Sequence, residues 1–295
     1  MGNQFDAVSD VGQRLKAFRL DAGLSPEDVA RETGISRAAI YRYEAGQPMR
    51  IDTLGKIADL LNVSLPSLLG VGVEYIPSAL RFFERMRQIE VDVDHISALF
   101  GPVSYLLTTG AFDSVLAEVL AESVPQDVRD RRKALDEIAQ LVEILKSRKA
   151  VFQNRRPHIL SLVSAAEMAQ FVQSGFVGCA APAGADLAKR HDIAAIEVRN
   201  VIRLLREQPI GVQVGVVVDS MPGTSFQIFK QTNRSPVAIS PFTLGSFANV
   251  RIGVATITTA QEAVDLYIEM TERLWRRSLK GDEAADYIEK LAFRS

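Results

Sequence analysis

Leu24-Ser25-Pro26-Glu27-Asp28-Val29-Ala30-Arg31-Glu32-Thr33-Gly34-Ile35-Ser36-Arg37-Ala38-Ala39-Ile40-Tyr41-Arg42-Tyr43-Glu44-Ala45-Gly46 holds two helix starts and two helix stops in one short run. Ser25 suits an N-cap, Pro26 the first helical position, and Glu27 and Asp28 the first turn, where the helix dipole favours acids. Thr33-Gly34 ends that helix. Ser36 caps a second one, Arg37 to about Glu44, which stops at Ala45-Gly46-Gln47-Pro48. The small Ala30 lets the two helices approach closely. Ile35 and Ile40 are expected to anchor the second helix, leaving Arg37, Ala38, Arg42 and one of Tyr41 or Tyr43 turned outward.

Upstream, Val11, Leu15 and Phe18 fall on one helical face, with Arg14, Lys16 and Arg19 around it, and Gly23 ends the helix. Downstream, Asp52 or Thr53 opens a further helix through Leu54, Ile57, Ala58 and Leu61, and Ser64–Leu69 adds a last turn. Helix, tight glycine turn, helix is the geometry that presents a second helix to the major groove of DNA. Charge agrees locally. Residues 1–70 carry eight Lys/Arg against nine Asp/Glu, but residues 31–50 carry four Arg (31, 37, 42, 50) against Glu32 and Glu44. Positive charge is therefore concentrated where phosphate would lie.

These residues, together with Leu54-Gly55-Lys56-Ile57-Ala58-Asp59-Leu60-Leu61 and Ser67-Leu68-Leu69, resemble the Cro/C1 (XRE-type) helix-turn-helix family over nearly all of residues 9–70. The resemblance implies an all-α five-helix DNA-binding domain. It implies Ser36, Arg37, Ala38 and Ala39 at base edges, and Arg42 and Tyr43 beside the backbone. Arg31, in the same basic stretch, joins the expected DNA-binding set. One departure stands out. The family usually has Gln after the N-cap of its second helix, where it helps bind a phosphate; Pro26 supplies neither that amide nor an N–H.

Domain boundaries are expected at 1–70 for this unit, 71–77 for a linker (Val71-Gly72-Val73-Glu74-Tyr75-Ile76-Pro77), and 78–295 for a helical and α+β region. In that region Ser78–Val91 reads as a charged helix. Residues 102–151 read as helical with an interruption at Gly110, and Pro125 precedes a long amphipathic helix. Residues 129–156 carry nine Lys/Arg against four acids. A solvated face is the usual reason for such a run, with an auxiliary DNA contact or an anion site as alternatives. Ile159–Val163, Val212–Val218, Ser225–Lys230, Val237–Phe242 and Ile252–Ile257 read as strands of a largely antiparallel sheet, with turns at Pro222-Gly223, Asn233-Arg234 and Gly245. Helices are expected at Ala165–Gln173, Ala183–Gln208, Gln261–Arg277 and Asp282–Leu291. The order of Tyr105–Phe112, Leu204–Val214 and Ser240–Leu244 also resembles the C-terminal domain of Scr1-type antitoxin-like regulators.

The 295 residues suit two domains, and 47% hydrophobic against 24% charged residues is enough for a sizeable core. A net charge of −2 excludes a chain-wide polycation. One cysteine, Cys179, excludes a disulfide scaffold and points to a reducing cytoplasm. With small apolar neighbours and no second thiol, it is not expected to act as a redox sensor. Three scattered histidines offer no metal site, and neither a metal nor another cofactor is expected. The N-terminus, Met1-Gly2-Asn3-Gln4-Phe5-Asp6, has neither the basic nor the apolar part of a signal peptide, and no apolar run suggests a membrane span. Walker, Rossmann, His-Glu-x-x-His and nucleophile-elbow patterns are missing, so no enzyme is expected. Gly211 and Gly215 lie inside a strand pattern, where close packing explains them.

What the sequence favours is a one-component transcription regulator that binds double-stranded operator DNA of palindromic form as a homodimer. Its C-terminal region is expected to sense a small-molecule effector. The rival is an autoregulated, antitoxin-like protein whose C-terminal region binds a small protein partner. The dimer seam is expected at 183–208 or 261–277, the latter for its aromatic stripe. Tyr105, Arg199, Arg203, Arg234 and Arg251 are the expected effector contacts, around a cleft between sheet and helices.

Overall fold

The computed structural model describes residues 3–69, 72–180, 186–232, 234–245 and 248–293. The first five helices are α1 (Asn3–Asp21), α2 (Pro26–Thr33), α3 (Arg37–Glu44), α4 (Ile51–Leu60) and α5 (Leu65–Leu69). Each short helix is delimited by its own chemistry. Ser25 and Asp28 form a reciprocal capping box, Gly34 takes φ 72° to close α2, and the Ser36 hydroxyl accepts the Ala39 N–H at the start of α3. Leu15, Phe18, Val29, Ile40, Leu54, Ile57, Ala58, Leu61 and Leu68 close one core, with Ile35 partly buried against it. Two arginines expected to border the apolar face of α1 are buried ties instead. Arg14 donates to the carbonyls of Leu68 and Leu69 at the end of α5, and Arg19 grips Glu44 of α3 at 2.5 and 3.1 Å.

The rest is α+β: a seven-stranded, mostly antiparallel sheet with packed helices. In chain order follow β1 (Val73–Ile76), α6 (Ala79–Ile89), β2 (His95–Leu99), α7 (Gly110–Glu122), α8 (Arg131–Arg155), β3 (His158–Ser164), α9 (Ala165–Ser174), α10 (Leu187–Glu207), β4 (Val212–Val217), β5 (Ser225–Lys230), β6 (Val237–Ser240), β7 (Ala255–Thr258), α11 (Gln261–Arg277) and α12 (Gly281–Phe293). The strand order is β1-β7-β6-β5-β2-β3-β4, with parallel pairing only between β2 and β3 and between β3 and β4. Helical crossovers α7–α8 and α9–α10 make those two pairs parallel, as such long connections require.

Several expectations are corrected. The stretch read as linker contains β1, which pairs with β7 as an edge of the sheet; Gly70 and Val71 lie outside the described residues. Strand β2, at the junction between the parallel and antiparallel halves, falls in a stretch with no strand expectation. Gly110 does not interrupt a helix: it begins α7, capped by Thr109, after a 3-10 turn at Tyr105–Leu107. Helix α10 begins at Leu187; residues 183–185 are outside the described part, as are Asn233 of the expected turn and Ala181 beside Cys179.

The sheet is loaded unequally. One face carries α6, α7, α8, α9, α10 and α12 over a large core that includes Phe82, Phe112, Phe171, Phe229 and Ile288. The other face packs against α11, through Leu99, Leu162, Val217, Phe226, Ile228 and Val237, with Met221 of the β4–β5 connection beside them. Tyr267 lies 4.9 Å from the Phe226 ring, and a Cβ on Gly215 of β4 would come within 2.9 Å of Trp275. The aromatic stripe of α11, expected at a dimer seam, is therefore spent on its own sheet.

The basic run is also not a plain solvated face. Arg148 is buried and holds Glu90 by two hydrogen bonds of 2.9 and 2.6 Å, and Lys149 is buried on Asp113, Thr108 and the Thr109 carbonyl.

Candidate nucleic-acid interface

Helix α3 has an inner and an outer side. Ile40 is fully buried and Ala39 is 6% exposed, whereas Arg37, Ala38, Tyr41 and Arg42 are exposed. Ala39, expected at a base edge, is thus turned toward the reader core and presents no side chain outward. Ser36 is exposed; its oxygen is occupied as the N-cap, accepting the Ala39 N–H at 3.2 Å. Tyr43 is half-buried and packs against the same core as Ile40.

The arginines are held differently. Arg37, on the first turn of α3, pairs with Glu27 of α2 at 2.5 Å and lies over the Tyr41 ring at 5.4 Å. That pose fixes a planar, five-donor group at the leading end of the helix, suited to the paired acceptors of a guanine edge. Arg42, a turn further on, has no ion pair among the described residues. It is a charge on a free stem, suited to phosphate. Arg31 stays on the outer side of α2, bound to Asp28 at 2.7 Å and Glu32 at 3.3 Å.

The start of α2 shows why Pro26 matters. Asp28 accepts the Ser25 N–H at 2.9 Å and the Ser25 hydroxyl at 2.6 Å. These two bonds, with help from Arg31, pull the Asp28 carboxyl down to about 2. At the helix N-terminus the Ser25 N–H is thus taken by the chain's own carboxylate, and Pro26 supplies no N–H beside it.

A helix-turn-helix family model of the Cro/C1 type matches residues 15–68. No curated protein matches the chain. With the exposed side of α3, the match identifies a helix-turn-helix unit at residues 15–68 and supports a DNA-binding role in transcription regulation. Among the described residues no cluster of three His, Cys, Asp or Glu has the arrangement of a metal site, and no helix is long and apolar enough to cross a membrane.

The residues expected around an effector are not brought together. Tyr105 is buried and donates to Asp113 at 3.1 Å; burial, followed by the Asp113 charge, pushes its hydroxyl pKa far upward. Arg199 lies over the Phe293 ring of α12 at 4.5 Å, and Arg203 pairs with Glu207 on the exposed side of α10. Arg234 donates to Gln231 in the β5–β6 turn. Only Arg251 stands at a sizeable groove, and none of the other four lines it.

What the sequence did not flag is the junction between the reader and the α+β region. Arg81 of α6 reaches Asp21 at the end of α1 at 2.5 Å and lies 4.3 Å over the Phe18 ring. Both partners of the ion pair are largely buried. Burial raises the Asp21 pKa, with Arg81 opposing, and lowers that of Arg81, with Asp21 opposing. Sixty positions separate the two in sequence, so no local pattern could join them.

Proposed function

We propose that this regulator binds a two-fold symmetric operator as a homodimer and that its α+β region senses an effector and passes the response to the reader. The supporting observation is the docking of α1 along α6 through Arg81, Asp21 and Phe18. A reader held this way takes its orientation from the larger region, so a change in that region alters how two readers meet DNA. Coupling of even ~2 kcal/mol changes affinity about thirtyfold. The dimer rests on the small surface that one five-helix reader offers, and on half-sites about one helical turn apart requiring two readers. Selection of bound sequences from a random duplex library, followed by light scattering of the complex, tests the reading. The expected outcome is an inverted repeat bound by two chains. An asymmetric site bound by one chain refutes the dimer.

A further inference from the structure

The groove at the junction holds about 230 Å³ and lies among the end of α1, the start of α6, the flank of α8 and the segment before β7. Its apolar floor includes Ala79 of α6 and Ile138 and Leu141 of α8, all buried. Its charged lining is of both signs. Asp21 is engaged by Arg81, whereas Glu137 and Arg251 are exposed and have no ion pair among the described residues. A hydrocarbon floor with an uncommitted carboxylate and an uncommitted guanidinium matches a small zwitterion with an apolar body. The volume agrees: a dry cavity of roughly 150 Å³ accommodates benzene, so this groove has room for a ring or branched chain with its two charged ends.

We propose that the groove is the effector site and that its ligand is a free amino acid with a large apolar side chain, its carboxylate on Arg251 and its ammonium on Glu137. The proposal rests on the sensing role assigned above and gives it a place. Asp21, on the groove wall, is the last residue of α1, so a molecule seated there touches the joint that orients the reader.

Calorimetric titration of the full chain without DNA tests the site, using L-phenylalanine and L-leucine, N-acetyl-L-phenylalanine and L-phenylalaninamide. Binding of the free amino acids is expected, with at least tenfold weakening when either end is blocked. Arg251→Ala should bind the acid and the amide alike, and Glu137→Gln the free and acetylated amine alike. Leu80→Trp, which fills the groove from its partly buried edge, should abolish binding with Tm maintained. Absence of heat with both free amino acids overturns the proposal, as does unchanged binding in all three variants. Operator affinity measured with and without L-phenylalanine is a separate readout: binding in the groove with no effect on operator affinity keeps the site and overturns the sensing role.

Discussion

Arg37 and Arg42 share the exposed side of α3, yet only Arg37 is clamped, by Glu27 and the Tyr41 ring. A fixed fork discriminates among bases; a free charge neutralises phosphate whatever the sequence. Arg37→Ala should lower operator affinity about 10- to 100-fold and relax the preference at one base position. Arg42→Ala should weaken all duplexes alike and reduce the slope of log affinity against log salt by about 1. Anisotropy titrations on operator and scrambled duplexes separate the two; equal loss of specificity in both variants contradicts the assignment. A second single-residue expectation concerns His95 on β2, whose ring stacks on that of His158 at 6.5 Å. Burial, then the His158 and Lys230 charges, lowers its pKa. The folded state therefore binds the proton less readily than the unfolded chain, and the stability present at neutral pH is lost as pH falls through the ordinary histidine range toward the lowered value. His95→Gln should flatten that dependence in thermal melts between pH 7.5 and 5.

Among the elements, α1 and α3 meet where Gly12 leaves no room: a Cβ there would lie 2.2 Å from the Tyr43 carbonyl oxygen and 2.9 Å from that of Glu44. Replacing a mid-helix glycine with alanine normally gains about 0.5–1 kcal/mol. Here the clash is with backbone and cannot be relieved by a rotamer, so overpacking of about 1–3 kcal/mol should win. Gly12→Ala is expected to lower the melting temperature and, by displacing α3, to weaken DNA binding. Helices α2 and α3 were legible because each carries its own start and stop within a few residues, as at Ser25, Gly34 and Ser36, whereas α4 begins at Ile51 with no side-chain cap, one residue before the earliest start its sequence suggested. Strands β1 and β2 were not. Val73–Ile76 is extended because it pairs with Thr258–Ala255, and His95–Leu99 because it lies between β3 and β5; both causes are remote in sequence. For the same reason charge counting on α8 could not show that Arg148 and Lys149 point inward to Glu90 and Asp113. The outward arginines of the reader were legible as a helical periodicity, whereas the inward turn of Ala39 was not separable from its exposed neighbour Ala38.

At the scale of the whole molecule, Arg81 joins reader and α+β region by its ion pair with Asp21. Removing it leaves the Asp21 carboxylate buried without its cation, a loss of about 3–5 kcal/mol for such a pair. Arg81→Ala should therefore destabilise the full chain in urea, and Asp21→Asn, which leaves the buried Arg81 guanidinium without its anion, should do so as well. If the two variants melt together with the parent, the joint carries no such energy.

The unequal loading of the sheet sets an order in which the molecule comes apart. Among the described residues, helix α11 packs on β4, β5 and β6 and buries only Val264 and Thr271 below a tenth of their surface, whereas α10 packs against β4, α7, α9 and α12 and buries residues along its whole length. Opening free energy follows buried contact, so α11 forms a separable unit of lower stability. In hydrogen–deuterium exchange its amides should take up label well before those of α10, and limited proteolysis should first cut the exposed segment 259–262 that leads into it, since Leu279 beyond its other end is bridged to Val216 of β4. Deuterium reaching both helices at one rate would mean that the two faces of the sheet open as a single cooperative body.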